Sequence, residues 1–532
     1  MFFAMTTALN RALMQFTKRA ESGDPSTLMS TFVDAGPLFN LLNTADHQIV
    51  FGRRGTGKTH AFIYLQRQLD TAGDWAVYTD LRNVGSSGGL YADESVPLAE
   101  RATRLLLDVL AEIQSAMTTR ALQAADEDDP RIDVVRALRA LDALADEITQ
   151  VRVTGQVETE ESARTGTRSA SGVAAEVSVT PSLSMRADDE SSQEQGRTVR
   201  RTGVETHYVH FGGVGAALRR LTEAFAANQR LWILLDEWSA IPLELQPILA
   251  DLLRRSLFPT PSIVVKIAAI EHRSRFIARR PGDYVGIEVG ADASANVDLD
   301  DFMVFGSNAQ TAEQFFRELL YRHVVAIMSA DRFKGPSPPI SAEQFVAEAF
   351  TQSATFTELV RAAEGVPRDA LNVVGLAAMA ADDDRISITD IRSAARRWYQ
   401  RDKESAVVVN AEAQRLLNWI IDTVIEGKRT KGFLLDPTGI DDDNVRHLYD
   451  ARTLHLLRRG ISSRDRPGVR FNAYALDFGC YVHLTAAKAP QTLFQAEGED
   501  GPIDVDVPSD DYRSIRTAIL DLGRFYNPAA YR

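Results

Sequence analysis

The chain has 532 residues, 45% of them hydrophobic and 25% charged, the profile of an ordinary globular protein with roughly two to four domains. A net charge of −14 excludes a generally sticky nucleic-acid binder but leaves room for a basic surface on one domain. The lone Cys480 excludes an internal disulfide and a cysteine-based zinc site, and no apolar run reaches the roughly 18 residues that span a bilayer.

Residues 1–45 read as a helical lead-in. Its apolar start is interrupted by Asn10 and Arg11 before a signal-peptide core forms, so a cytoplasmic location is expected. His47 to Phe51 reads as a short buried strand. Gly52-Arg53-Arg54-Gly55-Thr56-Gly57-Lys58-Thr59 follows and fits the phosphate-cradling pattern G-x-x-x-x-G-K-[ST] at every fixed position. The stretch after it, Thr59 to Leu69, places Phe62, Leu65 and Leu69 on one helical face. This strand–loop–helix context is the one in which the motif has chemical meaning. Glycines let backbone N–H groups turn onto a phosphate with no Cβ in the way, and the helix N-terminus adds positive potential. The expected nucleotide contacts are therefore Gly52, Gly55, Thr56, Gly57, Lys58, Thr59 and His60. Lys58 would reach the β- and γ-phosphates, and the Thr59 hydroxyl would bind Mg²⁺.

Trp75 to Thr79 is a second strand, ending at Asp80-Leu81-Arg82. Long amphipathic helices are expected from Ser95 to Met117 and over Ile132 to Ile148. Residues 150–206 change character, being rich in Ser, Thr, Gly and Glu. Alternation of Val173, Ala175, Val177, Val179, Leu183 and Met185 reads as an inserted β-hairpin on a stalk, with a disordered loop as the other reading. The core pattern resumes with Leu231 to Glu237, an apolar strand ending in two carboxylates. Asp236 suits Mg²⁺ and Glu237 suits a general base for the attacking water. Ile263 to Ile270 and Tyr284 to Ile287 are further strands, and the alternation predicts a parallel sheet with helices on both faces. Arg273, Arg275, Arg279 and Arg280 lie between them. Arg279 and Arg280, read as a helix end before Pro281, are candidates for an arginine finger in a neighbouring subunit's site; a solvated basic helix face is the other reading.

Thr311 to Gln400 is helical throughout, and Arg368 stands at a helix start within Gly365-Val366-Pro367-Arg368, where it could reach a γ-phosphate. Residues 407–490 suit a winged helix: a helix from Ala413 to Glu426, another from Asp441 to Arg458, and strands near Val469–Tyr474 and Gly479–Leu484. Lys428, Arg429, Lys431, Arg446, Arg452, Arg458, Arg459, Arg464, Arg466 and Arg470 make it basic-rich, but acids such as Asp441-Asp442-Asp443 nearly cancel them. Duplex-DNA contact and protein contact or internal packing both remain open. The tail from Gln491 is acidic until a last helix at Tyr512 to Leu522.

Taken together, Gly52–Thr59, Asp80-Leu81-Arg82, Asp236-Glu237, Gly365–Arg368 and the C-terminal winged helix resemble bacterial proteins related to the origin-recognition clade of AAA+ ATPases. The resemblance implies ATP and Mg²⁺ as cofactors, a P-loop α/β core over 46–305 with 150–206 inserted, a helical lid over 306–405, a winged helix over 406–490 and a tail over 491–532. It assigns phosphate and Mg²⁺ binding to Lys58 and Thr59, the Mg²⁺ carboxylate to Asp236, the catalytic base to Glu237 and a second sensor to Arg368. The first-sensor position, usually a small polar residue, falls at Glu271 or His272, which implies slow or differently regulated hydrolysis. A homo-oligomer, duplex DNA and a protein partner engaging residues 150–206 are the expected associations. Two functions follow: a DNA-binding initiator or loader, or a signalling ATPase of an antiviral or mobile-element system. A kinase or GTPase is a weaker third, since no guanine-specific motif is present.

Overall fold

The computed structural model describes residues 2–17, 19–20, 23–34, 36–84, 95–149, 151–154, 204–207, 209–300, 309–330, 333–462, 468–487 and 518–531. Strands are β1 (Gln48–Phe51), β2 (Trp75–Asp80), β3 (Val151–Thr154), β4 (Val204–His207), β5 (Leu231–Asp236), β6 (Ile263–Ala269), β7 (Ile277–Arg280), β8 (Asp283–Gly286), β9 (Ser294–Asp298), β10 (Gly432–Leu435), β11 (Leu454–Ser462) and β12 (Arg470–Leu476). Helices of eight residues or more are α1 (Phe2–Met14), α2 (Lys58–Ala72), α3 (Leu98–Asp126), α4 (Val134–Ile148), α5 (Phe211–Thr222), α6 (Gln246–Ser256), α7 (Ala309–Met328), α8 (Ala342–Ala349), α9 (Ser353–Ala363), α10 (Pro367–Ala381), α11 (Ile388–Trp398), α12 (Ala411–Ile420), α13 (Asp443–Asp450) and α14 (Phe478–Ala487). Among the described residues no helix is long and apolar enough to cross a membrane.

The chain forms two compact units: Met1–Asn43 with Phe51–Tyr64 and Val297–Arg532, and Thr44–Val50 with Leu65–Asn296. The second unit is built on a five-stranded sheet in the order β2-β5-β6-β1-β9. β2 pairs with β5 in parallel, placing Asp80 opposite Asp236, and β5 pairs with β6 in parallel. Every residue of β5 and β6 is buried. Strands closed off from water on both faces read as apolar runs rather than alternating ones, which is why Leu231–Leu235 and Ile263–Ala269, the latter interrupted by the buried Lys266, show no period of two. Each such leucine or isoleucine contributes about 1.5–3 kcal/mol by leaving water. The α/β class expected from the sequence holds.

The expected hairpin core at Val173 to Met185 lies outside the described residues. Its two flanks pair: β3 and β4 run antiparallel, from Val151 opposite His207 to Thr154 opposite Val204.

Two expectations in this unit are corrected. Tyr284 to Ile287 does not join the main sheet; β8 pairs antiparallel with β7 as a separate hairpin, with Gly282 at φ +80 in the turn. The fifth sheet strand is β9 instead. Arg279 and Arg280 accordingly lie on the strand β7, not at a helix end. The Pro281-Gly282 pair that looked like a helix stop is a hairpin turn, where glycine supplies the left-handed backbone.

In the first unit α1 packs on α10, and Asn10 Nδ2 donates to the carbonyls of Asp382 (2.7 Å) and Asp384 (2.9 Å). Its C-terminal part holds a three-stranded antiparallel sheet in the order β10-β12-β11. Leu434, Leu457, Ile461, Phe471, Ala473 and Ala475 form the core of that sheet. The expected helix over Asp441–Arg458 stops at Asp450. Arg452 adopts φ +60, which no helix continues through, and Leu454 onward is strand. Gly479–Leu484, expected as a strand, is helical within α14; a short apolar run does not distinguish the two states by period. Strand β10 was not expected. Residues 518–520 were expected in a helix, yet they lie extended beside it: Leu434 N donates to Ala518 O and Leu520 N to Leu434 O.

Candidate functional site

The loop after β1 has the backbone that its glycines suggest. Gly55 and Gly57 sit at φ +91 and +97, where a Cβ is strained, and α2 begins at Lys58 immediately after. A Cβ on Gly52 would stand 2.7 Å from Thr56 Oγ1, whereas one on Gly57 would meet nothing within 4 Å. Space is thus left open at the second glycine, where a phosphate oxygen would approach. Lys58 is 9% exposed, and its Nζ donates to the carbonyls of Gly52 (2.8 Å) and Arg53 (3.0 Å). The lysine therefore lies across the loop it belongs to. Phe62, Leu65 and Leu69 are buried and anchor α2 by the face the sequence indicates.

His60 faces elsewhere. Its Nε2 donates to Leu28 O at 2.7 Å and its ring meets Phe32 edge-on, with burial pulling its pKa below the usual histidine value. Phe32 also stacks on Tyr64 at 3.9 Å, so the lead-in is clamped onto the first turns of α2.

Arg368 lies in the first turn of α10, where Pro367 occupies an N-terminal position whose missing N–H costs nothing. Its backbone N–H donates to Gly55 O at 3.3 Å, and a Cβ on Gly55 would come 3.1 Å from Arg368 Cβ. The P-loop and the helix carrying Arg368, more than 300 residues apart in the chain, are in direct contact.

In the second unit, Asp236 is fully buried at the end of β5. Tyr78 Oη donates to its Oδ2 (2.9 Å) and the Glu237 N–H to its Oδ1 (2.8 Å). A carboxylate is a hard oxygen donor of the kind Mg²⁺ takes. Glu237 adopts φ +58, a left-handed turn that sends the chain sharply away from the strand. Asp80 grips Arg82 in a fork, with Nη2 2.6 Å from Oδ2, and Arg82 Nη1 stands 3.7 Å from Glu237 Oε1. The motif Asp80-Leu81-Arg82 thus acts on Glu237 through the β2–β5 register.

Glu271 and His272 form a single 3₁₀ turn after β6. Ser239 Oγ accepts from Ile270 N (2.8 Å), and Gln246 holds the turn by donating to Arg273 O and accepting from Arg275 N. Trp238 stacks on Phe276 at 5.1 Å. The end of β6 is therefore pinned to the turn that follows Glu237. Arg279 is exposed on β7.

Sequence reasoning passed over one further group. Arg53, an unspecified position of the loop motif, is 3% exposed. Its Nε donates to Asp300 (2.7 Å), its Nη2 to Glu364 O (2.9 Å), and its Nη1 meets His455 Nδ1. No local signal marks a partner about 400 residues away. The only sequence hint is a charged residue in a motif that does not require one.

No family model and no curated protein matches the chain. Among solved structures it is similar to the Aeropyrum pernix Orc1 protein in complex with DNA, at 13% identity over 88% of this chain and 93% of that one, with a TM-score of 0.26. A likeness of that TM-score carries no weight for function.

Proposed function

We propose that this chain is an ATP-binding P-loop protein of AAA+ type that works as a nucleotide-dependent switch or assembly motor. The observation that carries the reading is the loop itself: left-handed glycines at 55 and 57, a lysine laid across the loop, and a helix starting at that lysine. Lys58 and the loop N–H groups hold the β- and γ-phosphates, and Thr59 and Asp236 hold Mg²⁺. Bound Mg²⁺ would neutralise charge developing on the phosphates. Glu237 orients and deprotonates the attacking water, and Arg82 keeps its carboxylate in place. Arg368 senses the γ-phosphate, and its contact with Gly55 supports that role. Arg279 and Arg280 remain the arginine-finger candidates of a homo-oligomer; a hairpin is a suitable support for a residue that projects into a neighbour.

Duplex DNA is the proposed partner of the C-terminal part. Arg458, Arg459 and Arg470 are exposed on the β11–β12 hairpin, as a wing that tracks a phosphate backbone requires. The recognition surface is smaller than composition suggests, because Lys431 and Arg452 are buried. The antiviral or mobile-element signalling reading has one observation in its favour: β3 and β4, at the two ends of the segment proposed to engage a protein partner, pair in register.

The test is ATP turnover by the full chain, with and without duplex DNA, beside Glu237→Gln and Lys58→Ala. Turnover that rises with DNA, vanishes in Glu237→Gln and is accompanied by failure of Lys58→Ala to bind ATP is expected. ATP binding by Lys58→Ala equal to the native protein's would overturn the reading.

A further inference from the structure

A chain of buried polar side chains runs inside the first unit from the P-loop to the C-terminal sheet. It starts at Arg53, whose guanidinium is held by Asp300 and the Glu364 carbonyl. Arg53 Nη1 donates to His455 Nδ1 on β11, and His455 Nε2 donates to Asp477 Oδ2 (3.1 Å) just after β12. Asp477 Oδ2 also receives Lys403 Nζ, which stands 2.7 Å from Asp369 Oδ2. Asp369 is the residue after Arg368. It accepts in addition from Trp398 Nε1 (3.0 Å) and from Arg452 Nη1 (3.1 Å), and Arg452 Nη2 pairs with Asp402.

The exposures of Arg53, Asp369, Lys403, His455 and Asp477 are 3%, 1%, 1%, 0% and 3%. Buried charges at that depth are tolerated only while every partner is in place, because an orphaned one keeps its full desolvation penalty. The hydrogen-bond pattern also requires a neutral His455, with an acceptor at Nδ1 and a donor at Nε2. Burial, and then the Arg53 charge, hold it in that form by pushing its pKa down to about 4. Backbone packing supports the same joint: a Cβ on Gly479 would come 2.8 Å from Ala395 O and 2.6 Å from Tyr399 Cβ.

We propose that Arg53, His455, Asp477, Lys403 and Asp369 are positioning residues that couple the P-loop and the Arg368 helix to the seating of the β10–β12 sheet. Nucleotide at the loop and a ligand on the wing then alter each other's affinity. The inference rests on the nucleotide reading above. Two consecutive residues of the α10 first turn are tied down: Arg368 N–H to Gly55 O, and the Asp369 carboxylate to Lys403 and Arg452. Movement of the loop around a γ-phosphate shifts Arg53 and that turn together, and the buried pairs leave no slack for the sheet to stay behind. Coupling of this kind is reciprocal by thermodynamic necessity.

The experiment uses the full chain and two variants outside residues 52–59: Asp477→Asn, one partner removed from the loop, and His455→Gln, which touches it through Arg53. Hydrogen–deuterium exchange is followed without nucleotide in residues 52–59, with β5 of the other unit as an internal control. Mg²⁺·ATP affinity is measured in parallel. Faster exchange over 52–59 with β5 unchanged is expected, together with a loss of ATP affinity of about fivefold or more. Added ATP should slow exchange in β11 and β12 of the native chain but not of the variants. Unchanged exchange over 52–59 in a folded variant, or an equal rise in β5, would overturn the coupling. If exchange over 52–59 rises but the native chain itself binds no ATP, the nucleotide reading falls while the mechanical link stands. If Asp477→Asn does not fold, His455→Gln alone carries the test, since glutamine keeps a donor and an acceptor on a neutral side chain.

Discussion

The backbone N–H of Arg368 donates to the carbonyl of Gly55 at 3.3 Å, so a residue of the P-loop and the first turn of α10 form one contact. Gly55 is the tightest point of it. Its φ is +91, and a Cβ there would come 3.1 Å from both Arg368 Cβ and Val366 Cγ1. Gly55→Ala therefore strains the backbone and pushes α10 away. We expect a loss of about 1–3 kcal/mol in stability, read from the urea midpoint. ATP affinity should fall as well. Native-like binding by this variant would show that the contact is incidental.

His455 makes stability depend on pH. Its pKa is about 4 in the folded protein against 6.5 for the free side chain. Between those values the unfolded chain binds the extra proton and the native chain does not, so stability rises with pH there. It is fully present above about 6.5 and is lost as pH falls towards 4. The shift corresponds to roughly 3 kcal/mol from this group. Asp477 adds in the same direction at lower pH: burial raises its pKa, but Lys403 and the His455 hydrogen bond outweigh that and bring it down to about 2. Stability measured from pH 7 to pH 4 should therefore have a flatter slope in His455→Gln than in the native chain. The comparison is needed because His323 is also buried, with its pKa pushed down to about 4. Identical slopes would refute the assignment.

Gly286 ends β8 with φ +130, and a Cβ there would lie 1.9 Å from Phe276 O. That atom is backbone and cannot swing aside. Gly286→Ala should open the β7–β8 hairpin at a cost of about 3 kcal/mol or more. Amide exchange over 276–287 reports the opening. If Arg279 or Arg280 is an arginine finger, turnover of the oligomer falls with it while ATP binding by the single chain persists.

The wing arginines give a salt-dependent signature. Replacing Arg458, Arg459 and Arg470 by alanine should weaken duplex binding evenly across sequences. The slope of log affinity against log salt should become shallower by about 1 for each DNA phosphate that an arginine no longer neutralises. An unchanged slope with full affinity would move the DNA-binding surface elsewhere or remove it.

Much of the α/β part was legible in the chain because its signals are local. Gly55 and Gly57 are glycines where the backbone is left-handed, and Phe62, Leu65 and Leu69 announce the face of α2. Leu231 to Asp236 reads as a strand closed off on both sides. The C-terminal part was less legible. Leu454 to Ser462 carries a mixed pattern that a helix also satisfies, and only pairing with β12 makes it a strand. Gly479 to Leu484 is apolar enough for either state; it is helical, with Gly479 lying close against Tyr399 and Ala395.

The division follows from range. By itself the sequence determined the glycine-bearing turn ahead of α2, the carboxylate pair after an apolar strand and the α/β class, because a turn, a helix face or a buried strand depends on residues a few positions apart. Tertiary structure alone decided that β6 lies between β1 and β5, that Arg279 stands on a hairpin, and that Arg53 reaches His455. Those outcomes depend on which partners satisfy a buried charge or an unpaired strand edge. The partners of β1 and of Arg53 lie hundreds of residues away, where no local pattern records them, whereas the β7–β8 hairpin closes within ten residues, around a Pro-Gly pair that also reads as a helix stop.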